Sequence, residues 1–141
     1  MFKLVKIMSS GANVPEPIYV NFDGSCASVA GSVYYLMDGT ISPTQDNGYE
    51  PLIYALQNLE LEGDDIRALC YVITPDMIFE AEVSNSPKNL LTGKPFKLTF
   101  GDDGDACAVS TEVSSPEEAV GTIINTNSYE STGKVLVRFF C

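Results

Sequence analysis

Carboxylates are the residues whose number and spacing could do chemistry in this sequence. Nineteen Asp and Glu stand against eight Lys and Arg in 141 residues, and there is no histidine. Two clusters are dense: Asp102, Asp103 and Asp105 in GDDGD, and Glu60, Glu62, Asp64 and Asp65 in ELEGDD. Grouped carboxylate oxygens are what a calcium ion takes as ligands. Two opposed carboxylates can also divide acid and base roles in glycoside hydrolysis. Neither cluster has the EF-hand spacing, and Asp with Gly is what a tight turn asks for. The expectation is solvated turns, with no metal and no cofactor. A carboxylate- or metal-dependent enzyme would need Asp102, Asp103 or Asp105 to converge with Glu60, Glu62 or Asp65.

Nucleophiles fare no better. Ser131 and Lys134 in STGK match the spacing of a serine–lysine pair, but they fall in a turn between two strands. That motif works from the start of a helix and with companion motifs that this chain lacks. Without imidazole, Ser-His-Asp and Cys-His arrangements cannot form within the chain, and the usual general base at neutral pH is missing. Cys26, Cys70, Cys107 and Cys141 are widely spaced, with no CxxC pair. A zinc site is not expected from that spacing. Cys70, inside RALCYVI, reads as a small buried thiol. Free thiols and a non-enzyme are the expectations.

A formal charge of −11 bears on partners. Nucleic-acid binding is dominated by Lys and Arg neutralising phosphates, so a nucleic-acid partner is not expected. An anionic membrane surface is disfavoured for the same reason. No apolar run approaches the ~20 residues that span a bilayer, and MFKLVKIM is too short for a secretory signal. A soluble protein made in the cytoplasm is expected. The charge is uneven: Lys3 and Lys6 give the first eight residues +2, on an otherwise acidic body.

The elements that must position these residues read as β. PIYVNF, SVYYLM, DIRALCYVI, MIFEAEV, PFKLTF and ACAVSTEV are short runs rich in β-branched and aromatic residues, bounded by Gly, Asp, Ser or Pro. Within MIFEAEV, Ile78 is set against Glu80 and Glu82 as a half-buried pattern of period two. Pro75-Asp76 supplies the turn before that run. GTIINTN and KVLVRFF form a closing hairpin across SYESTG, with Val135, Val137 and Phe139 on one face and Gly133 at a positive-φ position. Two stretches have helical features. In EPLIYALQNLELE, Leu52, Ala55, Leu56 and Leu59 follow helical spacing. In SSPEEAVG, Ser115 caps and Pro116 opens a single turn. MSSGANVPEP reads as a connector, which makes the segment before it an extended arm.

The predicted architecture is all-β: a compact barrel-like or β-tulip-like domain over residues 17–141, behind an arm and connector over residues 1–16. Tyr34, Tyr35, Phe139 and Phe140 are candidate oligomer or partner contacts, with burial in the core as the alternative. At 141 residues such a domain hides roughly 68–70% of its chain surface without disulfides or metal.

VITPDMIFEAEVS followed by the closing GTIINTNSYESTGKVLVRFF resembles the head-decoration (cement) proteins of tailed bacteriophages. Chains of that kind often finish on an xGxAL…GxVxVRL-like pair of strands, and the hairpin here is similar, with Val120-Gly121 opening it and Val135, Val137 and Arg138 closing it. The resemblance covers Ile73 to Phe140. It implies a non-enzymatic virion protein on the outer capsid face, a dimer or trimer that bridges major capsid protein subunits. It also implies a capsid-binding arm, here Phe2, Lys3, Leu4, Val5, Lys6 and Ile7, which would add to a capsid sheet by β-augmentation. A head-fibre base, a tail component or a non-viral adaptor are the other binding modules considered.

Overall fold

The computed structural model describes residues 1–7, 16–22, 29–37, 39–42, 51–58, 67–84, 93–100, 106–125 and 134–140. The chain is all-β, as predicted. Its strands are β1 (Lys3–Ile7), β2 (Ile18–Asn21), β3 (Val33–Met37), β4 (Thr40–Ser42), β5 (Leu52–Ala55), β6 (Arg67–Val72), β7 (Met77–Glu82), β8 (Pro95–Phe100), β9 (Ala106–Ser110), β10 (Gly121–Asn125) and β11 (Lys134–Phe139). Contacts gather the chain into two compact units. A sheet unit takes Met1–Asn13, Thr74–Thr99 and Cys107–Cys141, and a barrel unit takes Val14–Ile73 and Phe100–Ala106. The first thirteen residues group with the sheet unit.

The barrel unit closes on itself. β3 pairs with β4, β4 with β2, β2 with β6, β6 with β5, and β5 returns to β3. All of these pairings are antiparallel except β2–β4, which is parallel and rests on the single register pair Asn21–Thr40. Closure removes the strand edges that an open sheet must protect. Inside lie Val20, Phe22, Tyr34, Ile41, Ile53, Ala55, Ala68 and Cys70. The Phe22 and Tyr34 rings meet edge to face, with centroids 5.2 Å apart. Gly39, at φ +80°, lies in the two-residue connection between the register partners Met37 and Thr40. A positive φ is what such a short hairpin connection demands.

One expectation fails here. The Leu52–Leu59 spacing predicts a helix, but Leu52–Ala55 is β5, hydrogen-bonded between β3 and β6. Leu52, Ile53 and Ala55 are all buried, so both faces of this strand carry apolar residues. A short strand buried on both sides looks like a buried helical turn to any periodicity argument. In the second helical stretch the single turn opened by Pro116 is present, as the 3₁₀ turn Pro116–Glu118, but the expected cap is not. Ser115 makes no side-chain cap there, and the Glu118 carboxylate instead accepts a hydrogen bond from the Ser114 N–H at 3.0 Å.

The sheet unit runs in the order β1–β7–β11–β10–β8. β10 and β11 form the predicted hairpin, with Ile123 opposite Val137 and Gly121 opposite Phe139. Val135, Val137 and Phe139 are buried as predicted. In β7 the pattern of two is present with its parity reversed: Met77, Phe79 and Ala81 face the core, while Ile78 shares the outer parity with Glu80 and Glu82. Four aromatic rings fill the centre. Phe139 meets Phe79 at 5.6 Å and Phe96 at 5.3 Å between centroids, and Phe2 meets Phe79 at 6.3 Å and Phe139 at 5.9 Å. Ahead of β7, the Met77 N–H donates to the Thr74 carbonyl at 3.1 Å, which closes the predicted Pro75-Asp76 turn.

Candidate functional site

The leading segment is the candidate binding element, and the structure roots it firmly. Phe2 is 2% exposed and completes the aromatic cluster of the sheet unit. From that anchor β1 pairs antiparallel with β7, with Lys3 opposite Glu80 and Leu4 opposite Phe79, then Lys6 opposite Ile78 and Ile7 opposite Met77. The register skips Val5, so a β-bulge lies between Leu4 and Lys6. The segment expected as a detachable arm is thus a paired strand. An apolar side chain at its second residue buries in a ready-made aromatic core, and that burial outweighs the freedom of a loose end.

β1 stands at the end of the strand order, with β7 as its strand neighbour among the described residues. Lys3, Val5 and Lys6 are exposed, and Val5 is 51% exposed; Leu4 and Ile7 are half-buried. Nearby charges are partly matched. The terminal ammonium of Met1 lies 3.9 Å from the Glu82 carboxylate, and Lys134 lies 3.8 Å from that of Glu80. The strand end therefore presents lysines, a bulge and an outward valine along an open row of backbone groups.

The aromatic candidates separate sharply. Tyr34, Tyr35 and Phe139 are buried in the core and are not available as contact residues. Tyr34 packs on Phe22, and Tyr35 stacks on Phe100 at 5.9 Å with rings 27° apart. Tyr34 and Tyr35 are consecutive in β3 and point to opposite faces, both of them covered, which is invisible in the run SVYYLM. Phe140 is exposed at 55%. It lines a shallow, mainly apolar groove of about 380 Å³ in the sheet unit, with Pro95, Val113, Ser114, Ser115, Pro116 and Ala119.

The two acidic clusters and Ser131 lie outside the described residues, as do Cys26, Cys141 and Gly133. Among the described residues no group of three or more His, Cys, Asp or Glu is placed to hold a metal ion. Also among them, no helix is long and apolar enough to cross a membrane. Cys70 and Cys107 are free thiols. Burial pushes the Cys70 thiol up to about 12, and its Sγ–H points at the Ala68 carbonyl at 3.7 Å. A thiol held that high stays protonated, so Cys70 is a packing residue and no nucleophile.

Sequence reading missed how the charge is divided. The barrel unit carries twelve of the nineteen carboxylates and one of the eight cations, Arg67. Seven carboxylates and seven cations belong to the sheet unit, which is formally neutral. The sheet unit is assembled from three separate stretches, so no window along the chain displays this balance. Comparison with protein-family models, curated proteins and solved structures returns no match.

Proposed function

We propose that this protein is a non-enzymatic structural component of a tailed-phage virion. It binds the outer capsid surface, bridges major capsid protein subunits, and acts as a dimer or trimer. The observation that carries the reading is the position of β1: a strand anchored by Phe2 at the end of a sheet, with Lys3, Val5 and Lys6 outward. An edge strand of this kind can accept a strand of another protein through main-chain hydrogen bonds. The resemblance of the β10–β11 hairpin to the closing hairpin of decoration proteins supports the same reading. So does the strongly acidic composition, which suits a protein that sits on a shell and away from the packaged nucleic acid. The expected arm is replaced by a fixed strand whose free side does the docking.

Co-sedimentation with expanded phage heads that lack a decoration layer tests the proposal. The wild-type chain is expected to pellet with the heads. Val5→Pro is expected to bind at least tenfold more weakly with an unchanged melting midpoint. Val5 has no register partner on β7, so proline there spares the internal ladder while blocking an added strand. A wild-type chain that stays in the supernatant with every shell would refute the reading.

A further inference from the structure

The outer side of β1 presents two lysines. Lys3 and Lys6 are exposed, and among the described residues no ion pair engages either of them. The two carboxylates of β7 that face outward are already committed: Glu80, opposite Lys3, lies against Lys134, and Glu82 lies against the Met1 ammonium. Ile78, opposite Lys6, brings no charge. An arriving strand therefore meets two exposed cations that no ion pair holds among the described residues.

Two kinds of occupant differ in how they meet that charge. An antiparallel pair of two β1 strands sets the lysines of one copy among those of the other, and like charges across a ladder destabilise it. Edge lysines and a bulge are also the devices that keep natural sheets from pairing with themselves. A strand with Glu or Asp facing Lys3 and Lys6 makes favourable cross-strand pairs instead. The sheet unit that presents β1 is itself formally neutral, so its own net charge does not oppose an acidic strand.

We propose that the open edge of β1 takes an extended partner strand carrying carboxylates, and not a second copy of β1. This rests on the docking role given to β1 above and names the chemistry of its partner. Two favourable cross-strand pairs in place of two unfavourable ones give about a threefold to tenfold preference.

The test is a titration of the full chain, followed by amide NMR, with two synthetic probes: acetyl-TEVEVTE-amide and acetyl-TKVKVTK-amide. The glutamate peptide is expected to bind threefold to tenfold tighter, with shifts centred on residues 3–7 and a preference that shrinks as salt rises. Lys6→Glu is expected to abolish the preference, because one cation and one carboxylate then face either peptide. Its register partner is Ile78, so the substitution sets no new carboxylate against Glu80. Equal binding of both peptides by the wild-type chain, no binding of either, an undiminished preference in Lys6→Glu, or self-association of the chain through β1 overturns the inference. Capsid binding fails separately. Undiminished binding of Lys6→Glu to heads sinks the charge preference and spares the capsid reading. A peptide preference in a chain that binds no head does the reverse.

Discussion

Replacing Phe2 with alanine distinguishes a docked strand from a loose leading arm. The Phe2 side chain is 2% exposed and packs on Phe79 and Phe139, with ring centroids 6.3 Å and 5.9 Å away. Burying a ring of this size stabilises the fold by roughly 1.5–3 kcal/mol. Each aromatic contact adds about 0.5–1.5 kcal/mol beyond its area. These contributions overlap, and the expected loss is about 3–5 kcal/mol, the usual cost of Phe→Ala in a core. Phe2 also roots β1, so the variant is expected to release Leu4 and Ile7 from partial burial. Urea unfolding followed by far-UV circular dichroism reads the loss as a lower midpoint at an unchanged slope. Hydrogen exchange should show the amides of residues 3–7 losing protection before the rest of the sheet unit. A loss below about 1 kcal/mol, an amount typical of surface positions, would mean that the leading segment is not part of the core.

Two further outcomes follow from packing. A methyl group at Gly121 would run into the Arg138 carbonyl oxygen and lie 2.7 Å from two carbons of the Phe96 ring. Gly121→Ala is therefore expected to destabilise by at least about 1–3 kcal/mol, measured by denaturant midpoint, and an unchanged midpoint would contradict the close approach of β10 to β11 and β8. Cys70 has a thiol raised to about 12 in the folded chain against 9.0 when free, so the unfolded chain loses this proton first as pH rises. Its contribution is complete below pH 9.0 and falls as pH climbs toward about 12, by up to about 1.4 kcal/mol per pH unit. Cys70→Ala should flatten that alkaline decline, and a native thiol titration at pH 8 should label Cys107 while sparing Cys70. Rapid labelling of Cys70 in the folded chain would argue against its burial.

The local physical chemistry of the sequence determined most of the strands. Runs such as PFKLTF and KVLVRFF alternate with period two, and β-branched and aromatic residues at that spacing suit a half-buried ladder regardless of partner. The hairpin of β10 and β11 and the Thr74–Met77 turn were legible because their signals are contiguous. β5 was not, because a strand covered on both faces loses the alternation that would mark it. Only the tertiary structure decided that Phe2 is core, that Tyr34, Tyr35 and Phe139 are covered, and that Phe140 stays outside. The candidate site was visible as a basic, apolar stretch, while its anchoring, its bulge and its outer side depend on β7, about seventy residues away in sequence. The division of charge belongs to the same class. Composition fixes the total of −11, but which residues share a unit depends on how distant stretches pair, and pairing free energy depends on contacts that no local window contains.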